Sequence, residues 1–242
     1  MNWKRYKKKH DYSYALGAFP SLEIIEHRQD QVLEVIFSSD FNEIDTWTEK
    51  LESLNIEYRV SDRMINKLAK KGNQYVICIF KKWDSHLEDT NHVLLDNISD
   101  MGNLGNIMRT LLAMDIKNLA LVGNSCDVFN PKTVRASMGA IARINIEHFD
   151  TIYDYMKAFP LNIYNKASER KAYSFLLDEK AELLPQVKKS KPWTLCFGNE
   201  ASGLPKEYAH LDQNVIIPQS EAVDSLNLST AVAIALYEFK NH

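Results

Sequence analysis

Leu195-Cys196-Phe197-Gly198-Asn199-Glu200-Ala201-Ser202-Gly203-Leu204 decides how this chain is read, together with Ile216-Ile217-Pro218 running on to Ser225-Leu226-Asn227-Leu228-Ser229. Each stretch joins an apolar run of strand length to a polar turn and then to helix-forming sequence. Pro218 ends the pairing of its strand because it has no N–H to donate. Two strand-exit loops this close in sequence can form one pocket lined by backbone N–H and C=O groups. Such a pocket suits a flat polar ligand, for example an adenine ring.

Working outward, further buried strands are expected at Val93–Leu95, Leu119–Val122, Ile144–Ile146, Leu161–Tyr164, Thr194–Phe197 and Val215–Ile217. Helical sequence separates most of them. Leu104, Ile107, Met108, Leu111 and Leu112 recur at one helical face, Asn130-Pro131 opens another helix, and a last helix runs from about Asn227 to Phe239. Strands alternating with helices imply an α/β fold with a mainly parallel sheet covered on both faces. Ligands of such sheets bind beyond the carboxyl ends of the strands. The polar loops at Asp96–Asn103, Gly198–Gly203 and Pro218–Asn227 should therefore open on one edge.

Before this region, strands at Val32–Phe37, Tyr58–Val60 and Tyr75–Phe80 alternate with helices around Leu22–Ile25, Glu43–Leu54 and Met64–Leu68. A small α/β domain over residues 1–83 follows, then a linker at 84–92 where periodicity is lost, then a second domain at 93–242. The first ten residues, rich in Lys and Arg, read either as a solvated terminus or as an arm that contacts phosphate, with Trp3 and Tyr6 free to stack on bases.

Composition excludes several classes. Hydrophobic residues make up 45% and charged residues 25%, as in an ordinary globular protein. The longest apolar runs are strand-sized, so no membrane span is expected, and no long apolar region follows the basic N-terminus as a secretory signal would require. Cys78, Cys126 and Cys196 lack metal-ligand spacing and read as reduced thiols of a cytoplasmic protein. Residues 1–83 carry 14 Lys+Arg against 12 Asp+Glu, whereas the remainder carries 15 against 20. That asymmetry is too weak to establish a nucleic-acid partner.

The candidate chemistry is sparse. Asn103 and Arg109 lie six residues apart on one helix, so they project about 120° from each other. Arg109 reads as a snorkelling surface arginine or as a guanidinium for phosphate or a developing oxyanion. Glu200 could cap a helix near Pro205, or bind a ligand or a neighbouring loop. Gly198 and Gly203 are turn residues by default, and Ser225 and Asn227 suit a helix N-cap. Gly-Asn-Glu-Ala-Ser-Gly has neither a dinucleotide fingerprint nor a phosphate-loop lysine, which favours an uncharged or zwitterionic ligand. The scattered histidines form no metal cluster in sequence, so no metal is expected.

Asp100-Met101-Gly102-Asn103-Leu104-Gly105-Asn106-Ile107-Met108-Arg109-Thr110 resembles motif 1 of the SpoU (TrmH-like) RNA 2′-O-ribose methyltransferases of the SPOUT superfamily. Leu195–Leu204 resembles motif 2, and Ile217-Pro218 with Ser225–Ala231 resembles motif 3. The resemblance covers about residues 93–242. It implies a SPOUT-type parallel sheet with a C-terminal deep trefoil knot, a homodimer through the catalytic domain, and S-adenosylmethionine held by Gly198, Ile217 and Leu226, with Gly203 and Pro218 beside them. Residues 1–83 are similar to the small L30e-like domain that binds RNA substrate in many members. The implied reaction methylates a ribose 2′-hydroxyl of structured RNA, rRNA rather than tRNA, with Arg109, Asn103, Glu200, Ser225 and Asn227 at the site. A non-catalytic RNA-binding or ribosome-assembly factor on the same fold is the alternative. Met101, Asp115, Ala201 and Glu221 depart from the family pattern, and the last three stand where it has glycine. Side chains there are expected to restrict the backbone and lower cofactor affinity.

Overall fold

A computed structural model describes residues 2–69, 74–163, 168–178 and 180–240. The chain divides into two compact units, one of residues up to Trp83 together with Asp127–Arg143, the other of Asp84–Cys126 with Ile144 onward. In the first unit, β1 (Tyr12–Leu16), α1 (Ala18–His27), β2 (Val32–Phe37), α2 (Ile44–Ser53), β3 (Tyr58–Val60), α3 (Asp62–Ala69) and β4 (Val76–Lys81) follow one another. The sheet order is β1-β4-β2-β3, with β4 antiparallel to both neighbours and β2 parallel to β3. Central β4 is buried from Val76 to Phe80, which its continuous apolar run requires.

Strand β1 is not expected from the sequence, because Tyr12-Ser13-Tyr14-Ala15 looks polar. Its Ser13 is nevertheless buried, and the hydroxyl donates to the Phe129 carbonyl at 2.5 Å. Residues 2–10 are not a solvated arm either. Trp3 is buried with Ile36, Ile77 and Ile79, and its indole N–H donates to Glu34 at 2.5 Å. The Tyr6 hydroxyl donates to Asp127. Neither ring is free to stack on a base as the arm reading required.

The second unit opens with β5 (His92–Asp96), α4 (Met101–Ala113) and β6 (Asn118–Val122). The chain then contributes Asp127–Arg143, including α5 (Pro131–Ala136), to the first unit, where Phe129 packs on Phe80 and Trp83. This segment was expected in the second domain; its apolar contacts lie in the first. After it come β7 (Asn145–Phe149), α6 (Ile152–Ala158), β8 (Lys171–Phe175), β9 (Glu182–Leu183), β10 (Trp193–Phe197), β11 (Gln213–Ile216) and α7 (Leu228–Lys240). All seven strands are parallel, in the order β7-β6-β5-β10-β8-β11-β9. Strands β5, β6 and β10 are buried at every position, as a sheet covered on both faces demands.

Two expectations fail in this unit. Leu161 to Ile163 is not a strand, and Tyr164 lies outside the described residues; the strand is β8, ten residues on. The span 84–92 is not a free linker. Leu87 is buried in the core, Ser85 donates to the Ile146 carbonyl, and Glu147 accepts from the Leu87 N–H.

Among the described residues no helix is long and apolar enough to cross a membrane. Cys78 and Cys196 are buried free thiols, both pushed up by burial, and Cys126 is half-buried. No metal was expected, yet Glu23, Glu26 and His27 bring their ligating atoms within 4.8 Å of one another. Lys50 lies 2.5 Å from Glu26, and Arg143 lies 3.8 Å from Glu23, so cations already face these carboxylates.

Candidate active site

A parallel sheet puts all its strand exits on one edge, so the loops after β5, β8, β10 and β11 meet there. After β5, Asn97 takes a left-handed conformation (φ 52°), and its side chain donates to buried Asp96 at 2.6 Å. Asp96 also accepts from the buried Tyr208 hydroxyl at 2.7 Å. The loop then reaches Asp100, whose carboxylate accepts from the Asn103 N–H at 2.7 Å and caps α4.

After β10, Asn199 and Gly203 pair through two backbone hydrogen bonds, of 3.2 and 2.9 Å. The resulting hairpin is so tight that a Cβ on Gly198 would lie 2.1 Å from the Gly203 carbonyl carbon and 2.2 Å from the Leu204 nitrogen. Gly203 has φ +67°, so the two glycines serve different needs. Asn199 ties the hairpin to β5 by donating to the Asn97 carbonyl at 2.8 Å.

Glu200 settles between its open alternatives by binding a neighbouring loop. Its carboxylate accepts from the Ser99 N–H and hydroxyl, the Asp100 N–H and the Asn103 amide at 3.1–3.3 Å. Burial would raise its pKa, but hydrogen bonds from its own backbone, Asn103, Ser99 and Asp100 outweigh that and hold it below the ordinary carboxylate range. Asn103 in turn accepts from the Asn227 amide at 3.0 Å. Asn227 caps α7, accepting from the Ser229 N–H at 2.9 Å. The three polar residues from three distant stretches thus form one chain, Glu200–Asn103–Asn227.

These loops enclose a cavity of about 420 Å3. Asn103, Gly198, Glu200, Gly203, Ile217, Ser225, Leu226 and Asn227 all line it, as the sequence reading proposed for a shared site. Pro218 does not; it is exposed, while Ile217 and Gln219 on either side face the cavity. Arg109 does not line it either. It lies exposed on α4, and its rotation of about 120° from Asn103 carries it off the cavity face. Ala201 lines the cavity without a positive φ, and Glu221 also has none, so the restriction expected from their lost glycines is not realised. Asp115 does take the left-handed conformation, φ 57°, closing α4 with Asp115 N–H to Leu112 and Ile116 N–H to Leu111 hydrogen bonds.

One wall was missed. Phe175, Leu176 and Leu177 leave β8 into the cavity, and the Phe175 ring stacks on Phe197 with centroids 4.3 Å apart. Lys171 and Ser174 interrupt the apolar run that would have marked β8 as a strand. The signal that could have found it is Phe175-Leu176-Leu177 before Asp178, an apolar exit into a polar turn like the other two.

Among the described residues Glu200 is the only charged side chain lining the cavity, and Phe175, Leu176, Leu177, Ile217, Leu226 and Ala231 supply much of its wall. The fold and site thus define an α/β protein with a largely apolar pocket at the carboxyl edge of its parallel sheet, bearing one carboxylate among the described residues. The chain belongs to the SpoU rRNA Methylase family, whose profile matches residues 90–237. It is 27% identical over 151 residues to the 23S rRNA (guanosine(2553)-2'-O)-methyltransferase RlmP of Bacillus subtilis, covering 61% of this chain and 57% of that protein. It is 25% identical over 244 residues to the 23S rRNA (guanosine-2'-O-)-methyltransferase RlmB of Acinetobacter baylyi, covering 95% and 96%. The chain spans little more than half the length of several curated relatives, at 51%, 57% and 52%. The AdoMet-bound rRNA methyltransferase structure from Sinorhizobium meliloti superposes with a TM-score of 0.79 at 27% identity, over 96% of this chain and 88% of that one.

Proposed function

We propose that this protein transfers a methyl group from S-adenosylmethionine to a ribose 2′-hydroxyl of structured RNA, with rRNA favoured over tRNA. The observation that carries this reading is the cavity lining. Apolar side chains and strand-exit backbone suit an adenosine, and Glu200, the one anion lining the cavity among the described residues, suits a cationic ligand while disfavouring phosphates. When bound, the cofactor supplies an electrophilic methyl group. The rRNA preference rests on what the relatives are named for, and on the four-stranded first unit, which we read as an L30e-like RNA-binding domain. Strand order also supports a trefoil knot, since late strand β10 inserts between β5 and β8 and α7 returns to pack on α4.

A ribose hydroxyl is a weak nucleophile until its proton is removed or shared. A guanidinium does not serve as a base, so the role we assign to Arg109 is to hold RNA phosphate and stabilise oxyanion character. Glu200, Asn103 and Asn227 fix the three loops relative to one another, and Ser225 is among the residues lining the cavity. Holding two reactants in line can supply much of the acceleration. We assign a cytoplasmic homodimer through the second unit. Its α7 leaves Ile234 38% and Tyr237 63% exposed, and it packs on the helix that carries Arg109.

Arg109 outside the cavity is also what a non-catalytic RNA-binding or ribosome-assembly factor on this fold would show. Calorimetry separates the two: submicromolar to micromolar binding of S-adenosylmethionine is expected, and no heat at millimolar cofactor rejects the enzyme. Arg109→Ala is expected to abolish methyl transfer to cellular RNA while leaving cofactor binding within twofold, because Arg109 does not line the cavity. Full activity in that variant removes Arg109 from the mechanism.

A further inference from the structure

Among residues 2–12, five are Lys or Arg (Lys4, Arg5, Lys7, Lys8 and Lys9) and one is acidic, Asp11. Cationic chain ends ordinarily stay solvated and unanchored. This one is pinned along its length. Buried Trp3 anchors it to Glu34, the Tyr12 hydroxyl bonds both the N–H and the carbonyl of Lys4, and the Tyr6 N–H donates to Tyr14 at 3.3 Å. Arg5 Nε donates to the Lys67 carbonyl, and Lys67 Nζ donates to Asn2. Lys82 Nζ donates to the Lys8 carbonyl and sits 4.7 Å over the Tyr6 ring. The anchors are aromatic and turn inward, while Lys4, Arg5, Lys7, Lys8 and Lys9 are exposed. Lys67 and Lys82 therefore join the same strip through tertiary contacts rather than by sequence.

Holding like charges together raises their mutual repulsion in the free protein, and a polyanion relieves it. An anionic membrane is the weaker partner, because the strip's large aromatics, Trp3 and Tyr6, are engaged by Glu34 and Asp127 and offer no apolar face. We propose that the pinned N-terminal strip, Lys4 to Lys9 with Lys67 and Lys82, is a preformed surface for the phosphodiester backbone of RNA. The identity of the polyanion rests on the RNA-methylation reading above. A preformed strip contacts several phosphates without first ordering a chain, and each phosphate neutralised adds about 0.7–0.9 to the salt slope of the affinity.

The test measures binding of a labelled RNA hairpin to the full chain as a function of salt. Lys7→Ala/Lys8→Ala/Lys9→Ala is expected to lower the salt slope by about 2 and the affinity at low salt by more than tenfold. Lys157→Ala/Lys180→Ala, removing exposed cations elsewhere, is expected to leave the slope within about 0.5. Trp3→Ala is expected to weaken binding with the slope kept, since it frees the strip without removing its charge. An unchanged slope in the triple variant, or an equal fall in the control, overturns the proposal. So does a stronger response to a polyglutamate peptide than to the hairpin, which assigns the strip to an acidic protein. Cofactor calorimetry on the same variants keeps the outcomes apart: retained cofactor binding with an unchanged slope sinks the strip alone, and no cofactor binding in the parent sinks the enzyme reading.

Discussion

Gly198→Ala is the sharpest probe of the site, because the added methyl group has nowhere to go. Its Cβ would stand 2.1 Å from the Gly203 carbonyl carbon, and ordinary contact begins at 3.4 Å. The opposing strand of the hairpin must therefore retreat by about 1.3 Å, the difference between those distances. Backbone atoms cannot rotate away as a side chain would. Such a displacement breaks the paired Asn199–Gly203 hydrogen bonds, worth about 1 kcal/mol each. Overpacking adds about 1–3 kcal/mol. Taking about 3 kcal/mol for restoring the binding shape, cofactor affinity falls on the order of 100-fold. Gly203→Ala is the control: no heavy atom lies within 4 Å of its Cβ, but its φ of +67° makes alanine strained. That strain costs about 1 kcal/mol and leaves the cavity shape unchanged, so a loss below tenfold is expected. Calorimetric titration of both variants with S-adenosylmethionine reads the contrast. If Gly198→Ala binds within threefold of the parent, or Gly203→Ala is the more damaging, the steric account of the hairpin is wrong.

Deleting residues 1–83 is expected to yield aggregated or protease-sensitive protein, because Asp127–Arg143 then loses Phe80, Trp83 and the Arg28 contact to the Ala142 carbonyl; a monodisperse truncated protein with parental cofactor affinity would contradict this. His92 predicts a pH dependence. It is fully buried, with Nε2 2.7 Å from the Glu88 carbonyl and Nδ1 2.7 Å from the Tyr155 hydroxyl. The carbonyl can only accept, so the neutral ring carries its proton on Nε2 and accepts from Tyr155 at Nδ1. Burial, then the nearby Arg170 charge, push its pKa from 6.5 down to about 4. The unfolded chain binds the proton first, so this contribution is complete above about pH 6.5 and is lost as pH falls towards 4. The gap corresponds to about 3 kcal/mol. Urea unfolding at pH 7 and pH 4.5 should show a larger acid loss in the parent than in His92→Gln; equal losses would remove His92 as the cause.

Much of the second unit was legible because its signals are local. Val93–Leu95, Leu119–Val122 and Thr194–Phe197 are continuous apolar runs, and only a strand buried on both faces uses such runs between polar turns. The loops after β5, β10 and β11 could be placed on one edge for the same reason, and with them Asn103, Gly198, Glu200 and Asn227. Strands β1 and β8 escaped, since Ser13 and Ser174 are polar residues buried at 0% exposure. Each satisfies its hydroxyl through a carbonyl distant in sequence, Phe129 and Tyr208 respectively. No local pattern records such a partner.

By itself, then, the sequence determined the alternation of strand and helix, the parallel sheet, and the three motifs around Asn103, Glu200 and Asn227. Those follow from apolar period and turn chemistry, which act over a few residues. Tertiary structure alone decided the rest. It returned Asp127–Arg143 to the first unit, pinned the lysine-rich N-terminus through Trp3, added Phe175 to the cavity and left Arg109 outside it. Each of these depends on which surfaces meet after folding, and burial and hydrogen-bond satisfaction between distant segments set that outcome.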